Sequence, residues 1–191
     1  MAENPPIVVA VSGASGAPIA VRLLDWLQEA GAPVALVVSA GGGKVLTAES
    51  DLDPAALAMK AQRSYADDDL TAPIASGTQP TRGMVVVPCS SNTVARLALG
   101  LGDTLIARAA HVHLKERRRL VIVAREAPIP TLMLRHLTTL SELGVVVLPE
   151  TPAYYLRPRT IEEVTDYMVG KILDQFGLPH QLYKPWGSDR P

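Results

Sequence analysis

The sequence predicts a doubly wound α/β sandwich: a mostly parallel β-sheet with helices on both faces. Three observations predict it. Short apolar runs alternate with longer segments whose apolar residues recur at helical spacing. Runs such as Val8-Val9-Ala10-Val11 and Leu120-Val121-Ile122-Val123 carry no polar residue on either face, the pattern of strands buried on both sides. Most links between segments are short, which suits strand–helix–strand units.

Ile7 to Ser12 reads as the first strand, running into the turn Gly13-Ala14-Ser15-Gly16. Gly16 to Ala30 follows as a helix, with Ile19, Leu23, Leu24 and Leu27 at helical spacing and Gly31 ending it. Pro33 to Ser39 is the second strand. Gly41-Gly42-Gly43 reads as a flexible turn into a short helix with Lys44, Val45 and Leu46. Asp53-Pro54 reads as an N-cap followed by proline at the first helical position. Residues 64 to 82 hold Asp67-Asp68-Asp69, Pro73, Ser76-Gly77 and Pro80, and read as a long functional loop or covering flap.

Gly83 to Pro88 is the next strand and Ser90 to Gly100 a short helix. Asp103 to Arg117 is a longer helix with Asp103 as its N-cap. Leu120 to Ala124 is a strand, Thr131 to Leu143 a helix stopped by Gly144, and Val145 to Leu148 a strand. Pro149 to Pro158 is a proline- and tyrosine-rich loop. Thr160 to Phe176 is the last helix, with Thr160 and Glu163 as a capping box. The whole is expected to be one domain over residues 1–191, a Rossmann-like or flavodoxin-like three-layer sandwich.

Bulk properties exclude several functions. A chain of 191 residues can bury one full core. The net charge of -1 gives no basic field for nucleic acid or an anionic membrane. No apolar run reaches the ~18 residues of a membrane span. Met1 to Pro6 is polar and lacks the apolar core of a signal peptide. Cys89 is the only cysteine, so no internal disulfide forms and a reducing cytoplasm fits. His111, His113, His136 and His180 make no metal-binding spacing, so no metal site is expected.

In a parallel sheet the strand ends share one edge, where ligands bind. Gly13-Ala14-Ser15-Gly16 lacks the full dinucleotide fingerprint, and no acidic residue stands beside Ser39 to take a ribose. A hydroxyl there suits a phosphate or a flavin edge; the alternative is an ordinary tight turn. Pro88-Cys89-Ser90-Ser91-Asn92-Thr93 places hydroxyls and an amide at a helix start, as an anion cradle or as plain capping. Arg125-Glu126 ends an apolar strand with a cation and a titratable acid, expected to act as an ion pair that a bound anion would retune. Glu49 is a second carboxylate within reach of that edge, or a helix-surface charge. Arg108, His111 and Lys115 lie at i, i+3 and i+7 on one helix face. Arg108 and Lys115 could converge on a phosphate, from across a cleft or a subunit boundary; the run Arg117-Arg118-Arg119 reads better as a solvated face. Tyr154-Tyr155 sits in the last loop, and Lys171 on the last helix could approach it.

Ser-Gly-Ala-Ser-Gly-Ala at 12 to 17, Ala75-Ser76-Gly77, Pro88-Cys89-Ser90, Leu105-Ile106-Ala107-Arg108-Ala109-Ala110, Leu114-Lys115-Glu116-Arg117-Arg118 and Arg125-Glu126-Ala127-Pro128 occur in this order. Together, from about residue 7 to Trp186, they resemble the UbiX-type flavin prenyltransferases. The resemblance implies a metal-independent enzyme that joins a dimethylallyl group from dimethylallyl monophosphate to reduced FMN. The product, prenylated FMN, would serve a UbiD-type decarboxylase. It implies a dodecamer with active sites at subunit junctions, the tail 177–191 packing on a neighbouring subunit. By resemblance Gly13, Ala14, Ser15, Ser39, Ser90, Ser91, Asn92, Thr93 and Arg125 hold FMN. Arg108, Lys115, Tyr155 and Lys171 hold the prenyl phosphate, Trp186 closes the pocket, and Glu49 and Glu126 manage protons. The chain departs from the common family pattern at Ala40, His111, Met133 and His136.

Two other functions compete. A flavin-dependent cysteine decarboxylase of the phosphopantothenoylcysteine type has a similar Pro-Ala-Ser-Ala-Asn-Thr loop. It also needs a histidine after the first helix and a Pro-x-Met-Asn segment, and neither is present. A non-catalytic FMN carrier would bind flavin regardless of Glu126 or Lys115.

Overall fold

The computed structural model describes residues 4–188. Six parallel strands form one sheet in the order β3-β2-β1-β4-β5-β6. They are β1 (Ile7–Val11), β2 (Val34–Val38), β3 (Arg63–Ala66), β4 (Gly83–Cys89), β5 (Leu120–Ala124) and β6 (Val146–Pro149). The helices are α1 (Ala17–Glu29), α2 (Ala40–Glu49), α3 (Pro54–Ala58), α4 (Ser91–Leu99), α5 (Leu105–Lys115), α6 (Thr131–Glu142) and α7 (Ile161–Gln175). The strand order reverses between β1 and β4, the crevice at which such sheets bind ligands.

Alternating strand residues feed two cores. Val9, Val11, Leu36, Val85, Val121 and Val123 pack under α1 and α7, against Leu23, Leu27, Val169 and Leu173. Val8, Ala10, Val37, Met84, Val86 and Ile122 pack under α4, α5 and α6, against Val94, Leu97, Ile106, Ala109 and Leu140. Apolar residues on both faces explain the unbroken runs in the sequence.

Several local expectations are corrected. Residues 64 to 82 are not one irregular loop: Arg63–Ala66 pairs with β2 as an edge strand and Pro73–Ala75 forms a 3-10 turn. The strand is short and largely exposed, so no apolar run marks it. Gly41, Gly42 and Gly43 lie inside α2, where Gly42 is required because any β-carbon would collide with the Val11 carbonyl. Thr104, not Asp103, caps α5, its hydroxyl accepting from Ala107 N–H at 3.3 Å. Asp103 is drawn away by Arg96, whose Nε lies 3.1 Å from Oδ1. At α7 only half of the capping box forms: Thr160 accepts from Glu163 N–H, while the Glu163 carboxylate accepts from Arg159 N–H. The N-caps Asp53, Ser39 and Ser90 form as side-chain caps.

Candidate active site

The loops after β1 and β4 are tied together at the switch point. The buried Ser12 hydroxyl donates to Pro88 O at 2.9 Å and accepts from Ser90 N–H at 2.8 Å. This fixes the spacing between the two expected cradles. Around them a cavity of about 670 Å³ opens, within the range of cofactor pockets. Residues after five successive strands line it: Gly13, Ala14 and Ser15 after β1; Ser39 to Gly41 after β2; Asp67 after β3; Ser90 to Thr93 after β4; Arg125 and Glu126 after β5. Gly13 keeps the floor low, since a β-carbon there would stand 3.2 Å from the Gly41 backbone. All nine residues expected to hold FMN, together with Glu126, therefore meet in one cavity.

The donor set fits a flavin monophosphate. Ser15, Ser39, Ser90, Ser91 and Thr93, which carry hydroxyls, and Arg96 and Arg125, which carry guanidinium groups, line one space. Ser39 and Ser90 also cap α2 and α4, accepting from Gly42 and Thr93 N–H, so capping and cradle are the same residues in two uses.

Arg125 and Glu126 are not an ion pair. Glu126 Oε2 instead accepts a 2.7 Å hydrogen bond from the Ser91 hydroxyl. Glu49 is also placed differently from a free acid in the cleft. Its Oε2 accepts from Gly16 N–H at 2.9 Å and Ala17 N–H at 3.0 Å, closing the N-terminus of α1. Burial opposes its charge, but hydrogen bonds from Ser15, Gly16 and Ala17 and the charge of Arg125 outweigh that and hold the carboxyl below its ordinary range. The first cradle thus already contains an anion of the protein's own.

The residues expected to hold the prenyl phosphate lie outside this cavity in the single chain. Arg108 Nε donates to Ala75 O at 3.2 Å, and Lys115 pairs with Glu116 beside Gly77. His111, on the same face, bonds Leu97 O at 3.2 Å. Arg118 is no solvated bystander: it donates to Gly77 O and Gln79 O, each at 2.7 Å. Tyr155 and Trp186 stack edge to face at 5.0 Å and line a second cavity of about 490 Å³ with Lys184. Lys171 does not join that loop; it bonds Asp174 at 3.0 Å and Tyr183 at 3.5 Å. The tail 177–191 is described as far as residue 188, and residues 189–191 lie outside the described residues. Cys89 is fully buried and burial pushes its thiol far above the ordinary range, so it is no nucleophile.

Residues 1–173 match the flavoprotein family. The flavin prenyltransferase UbiX of Thermoplasma acidophilum is 46% identical over 94% of this chain and 99% of its own. The chain belongs to the UbiX-type flavin prenyltransferases. Among solved structures, AnUbiX in complex with FMN and dimethylallyl pyrophosphate superposes with a TM-score of 0.94 at 38% identity, covering 96% of this chain and 98% of that one. A dodecameric FMN-dependent UbiX-like decarboxylase from Escherichia coli O157:H7 gives 0.93 at 38% identity, covering 95% and 98%.

Within this family frame, four site residues escaped the sequence reading. Asp67 and Arg96 face the flavin cavity; Asp67 Oδ1 accepts from Ile106 N–H at 2.9 Å, and burial raises its carboxyl against the pull of Ile106, Thr104 and Arg96. Ser12 is buried and sets the frame through its bonds to Pro88 and Ser90. Glu150, after β6, joins Glu49 beside α1. The Asp67-Asp68-Asp69 run carried the only signal, because a strand before it would have placed Asp67 at the ligand edge.

Proposed function

We propose that this chain is a flavin prenyltransferase, joining the dimethylallyl group of dimethylallyl monophosphate to reduced FMN. The observation that carries it is the convergence of nine expected flavin contacts and Glu126 on one strand-end cavity in a chain of this family. Gly13 to Ser15, Ser39, Ser90 to Thr93 and Arg125 would hold FMN. When bound, reduced FMN supplies the electron-rich ring that accepts the five-carbon group.

The protein's part is to stabilise departure of the phosphate and to manage protons. Breaking the allylic carbon–oxygen bond builds negative charge on the phosphate, and fixed cations lower that barrier most when they meet it in the transition state. Arg108, Lys115, Lys171 and the Tyr155 hydroxyl are suited to this. Their placement outside the chain's own flavin cavity supports completion of each site by a neighbouring subunit, with the tail and Trp186 packing at that junction in a dodecamer. Glu126, aimed by Ser91, moves protons at the flavin, and Glu49 steadies the turn at Ser15. Prenylated FMN would pass to a UbiD-type decarboxylase in the cytoplasm, a setting that the single buried thiol suits.

The test is anaerobic incubation of the protein with reduced FMN and dimethylallyl monophosphate, followed by the mass of the flavin. A flavin heavier by one five-carbon unit is expected. Unmodified flavin that stays bound would overturn prenyl transfer from this donor and favour a carrier.

A further inference from the structure

Glu150 is held at the same edge as the flavin site. Its N–H donates to Ala124 O at 3.4 Å, next to Arg125. Its side chain turns in against α1, where a β-carbon on Gly16 would stand 2.8 Å from Oε2. Glu49 Oε2 approaches the same glycine and accepts its N–H. Both carboxylates line a cavity of about 360 Å³ that shares Ser15 with the flavin cavity. Arg125 is the cation that acts on both. The rest of the lining, Pro18 and Ile19 from α1 and Ile161, Val164, Thr165 and Met168 from α7, brings no charge. The nearby charges on those helices, Arg22 and Asp166, neutralise each other at 2.6 Å.

We propose that Glu150 is the proton-holding residue of this pair, and that a phosphate monoester binding at the Ser15 turn draws a proton from solvent onto it. The inference rests on the prenyl-transfer reading. Two carboxylates already lie in the field of one guanidinium. A phosphate arriving there adds negative charge, which raises the proton affinity of both acids. Glu49 is fixed in its charged form by three hydrogen-bond donors, so the proton goes to Glu150. Burial already raises that carboxyl; Arg125 opposes the rise and Glu49 adds to it. The only bond formed is O–H on a Glu150 oxygen, and no bond to carbon changes. Glu150 is thus a positioning residue: it sets the charge that the phosphate meets and acts through Glu49. The phosphate is that of FMN or of the prenyl donor, which share this chemistry.

Calorimetry at about pH 6, close above the ordinary carboxylate range, in two buffers of different ionisation enthalpy counts protons taken up per ligand bound. One arm titrates FMN into the apoprotein, a second titrates dimethylallyl monophosphate into the FMN-loaded protein, and a third uses riboflavin, which lacks the phosphate. The wild-type protein is expected to take up a proton in the first or second arm. Glu150→Gln should lose that uptake, Glu150→Asp should restore part of it, and the riboflavin arm should match in all three. The arm that changes identifies which phosphate is responsible. Equal proton counts in wild type and Glu150→Gln in both phosphate arms would overturn the inference. Prenyl transfer is judged separately, by the flavin mass of the wild-type reaction.

Discussion

Ser91 and Glu126 are joined across the sheet edge: the hydroxyl of the first residue of α4 donates to Glu126 Oε2 at 2.7 Å. The acid that follows β5 is therefore aimed by the loop that follows β4, and its neighbour Arg125 remains directed at the cavity it shares with both. Orientation and charge balance of the acid come from different groups, so substitution can separate them.

Glu126→Gln keeps size and hydrogen bonding but cannot exchange protons. FMN should still bind, and prenylation should fall about a hundredfold or more, as for loss of an acid–base group. Ser91→Ala leaves the acid but removes its guide, and should cost about tenfold in turnover. Flavin fluorescence reads binding and flavin mass reads turnover; unchanged turnover in Glu126→Gln would remove it from the mechanism.

Lys115→Ala removes a cation beside Gly77, away from the chain's own flavin cavity. KM for the prenyl phosphate should rise roughly tenfold, the scale of one charge-assisted contact, while the Kd for FMN stays put. Equal loss of both in steady-state and binding assays would indicate an assembly defect instead.

Ser12→Ala strands the part-buried Ser90 N–H, while Pro88 O keeps the bond from the backbone N–H of residue 12 at 3.2 Å. The cost should be about 1–3 kcal/mol, or roughly 2–12 °C in Tm for a chain of this length. FMN affinity should fall with it, because the spacing between the two cradles is released. A thermal melt and a flavin titration on the same sample check both.

His113 is buried in α5, with Nδ1 donating to Ala109 O at 2.7 Å and Nε2 accepting from the Thr81 hydroxyl at 2.8 Å. Burial holds its pKa below the ordinary value, and Arg118 adds to the effect. Between that lowered value and the unfolded value near 6.5, the unfolded chain binds more protons, so stability falls as pH drops through this window and is level above it. Melts from about pH 8 to about pH 5 should show the decline in wild type and a shallower one in His113→Gln. Parallel curves would assign the decline to other groups.

The fold was legible because its strongest signals are local. Val8 to Val11 and Leu120 to Val123 are apolar on both faces, and only a sheet covered twice accepts that. β3 was missed because Arg63–Ala66 is a largely exposed edge whose pairing with β2 is not local. The residues that line the strand-end cavity were legible through ordered motifs at strand ends. The competition for charge was not: Arg96 taking Asp103 from α5, or Glu49 taking the amides of Gly16 and Ala17, depends on residues far apart in the chain. Sequence places each group on its element, and only packing decides which partner it reaches.

Arg118 holds the carbonyls of Gly77 and Gln79, while Arg108 holds that of Ala75. The loop from 75 to 79 is therefore tied both to α5 and to the segment that follows it. A subunit docking there would meet a preformed surface, so assembly would not first have to freeze a loop, and that entropic toll would be met while the single chain folds.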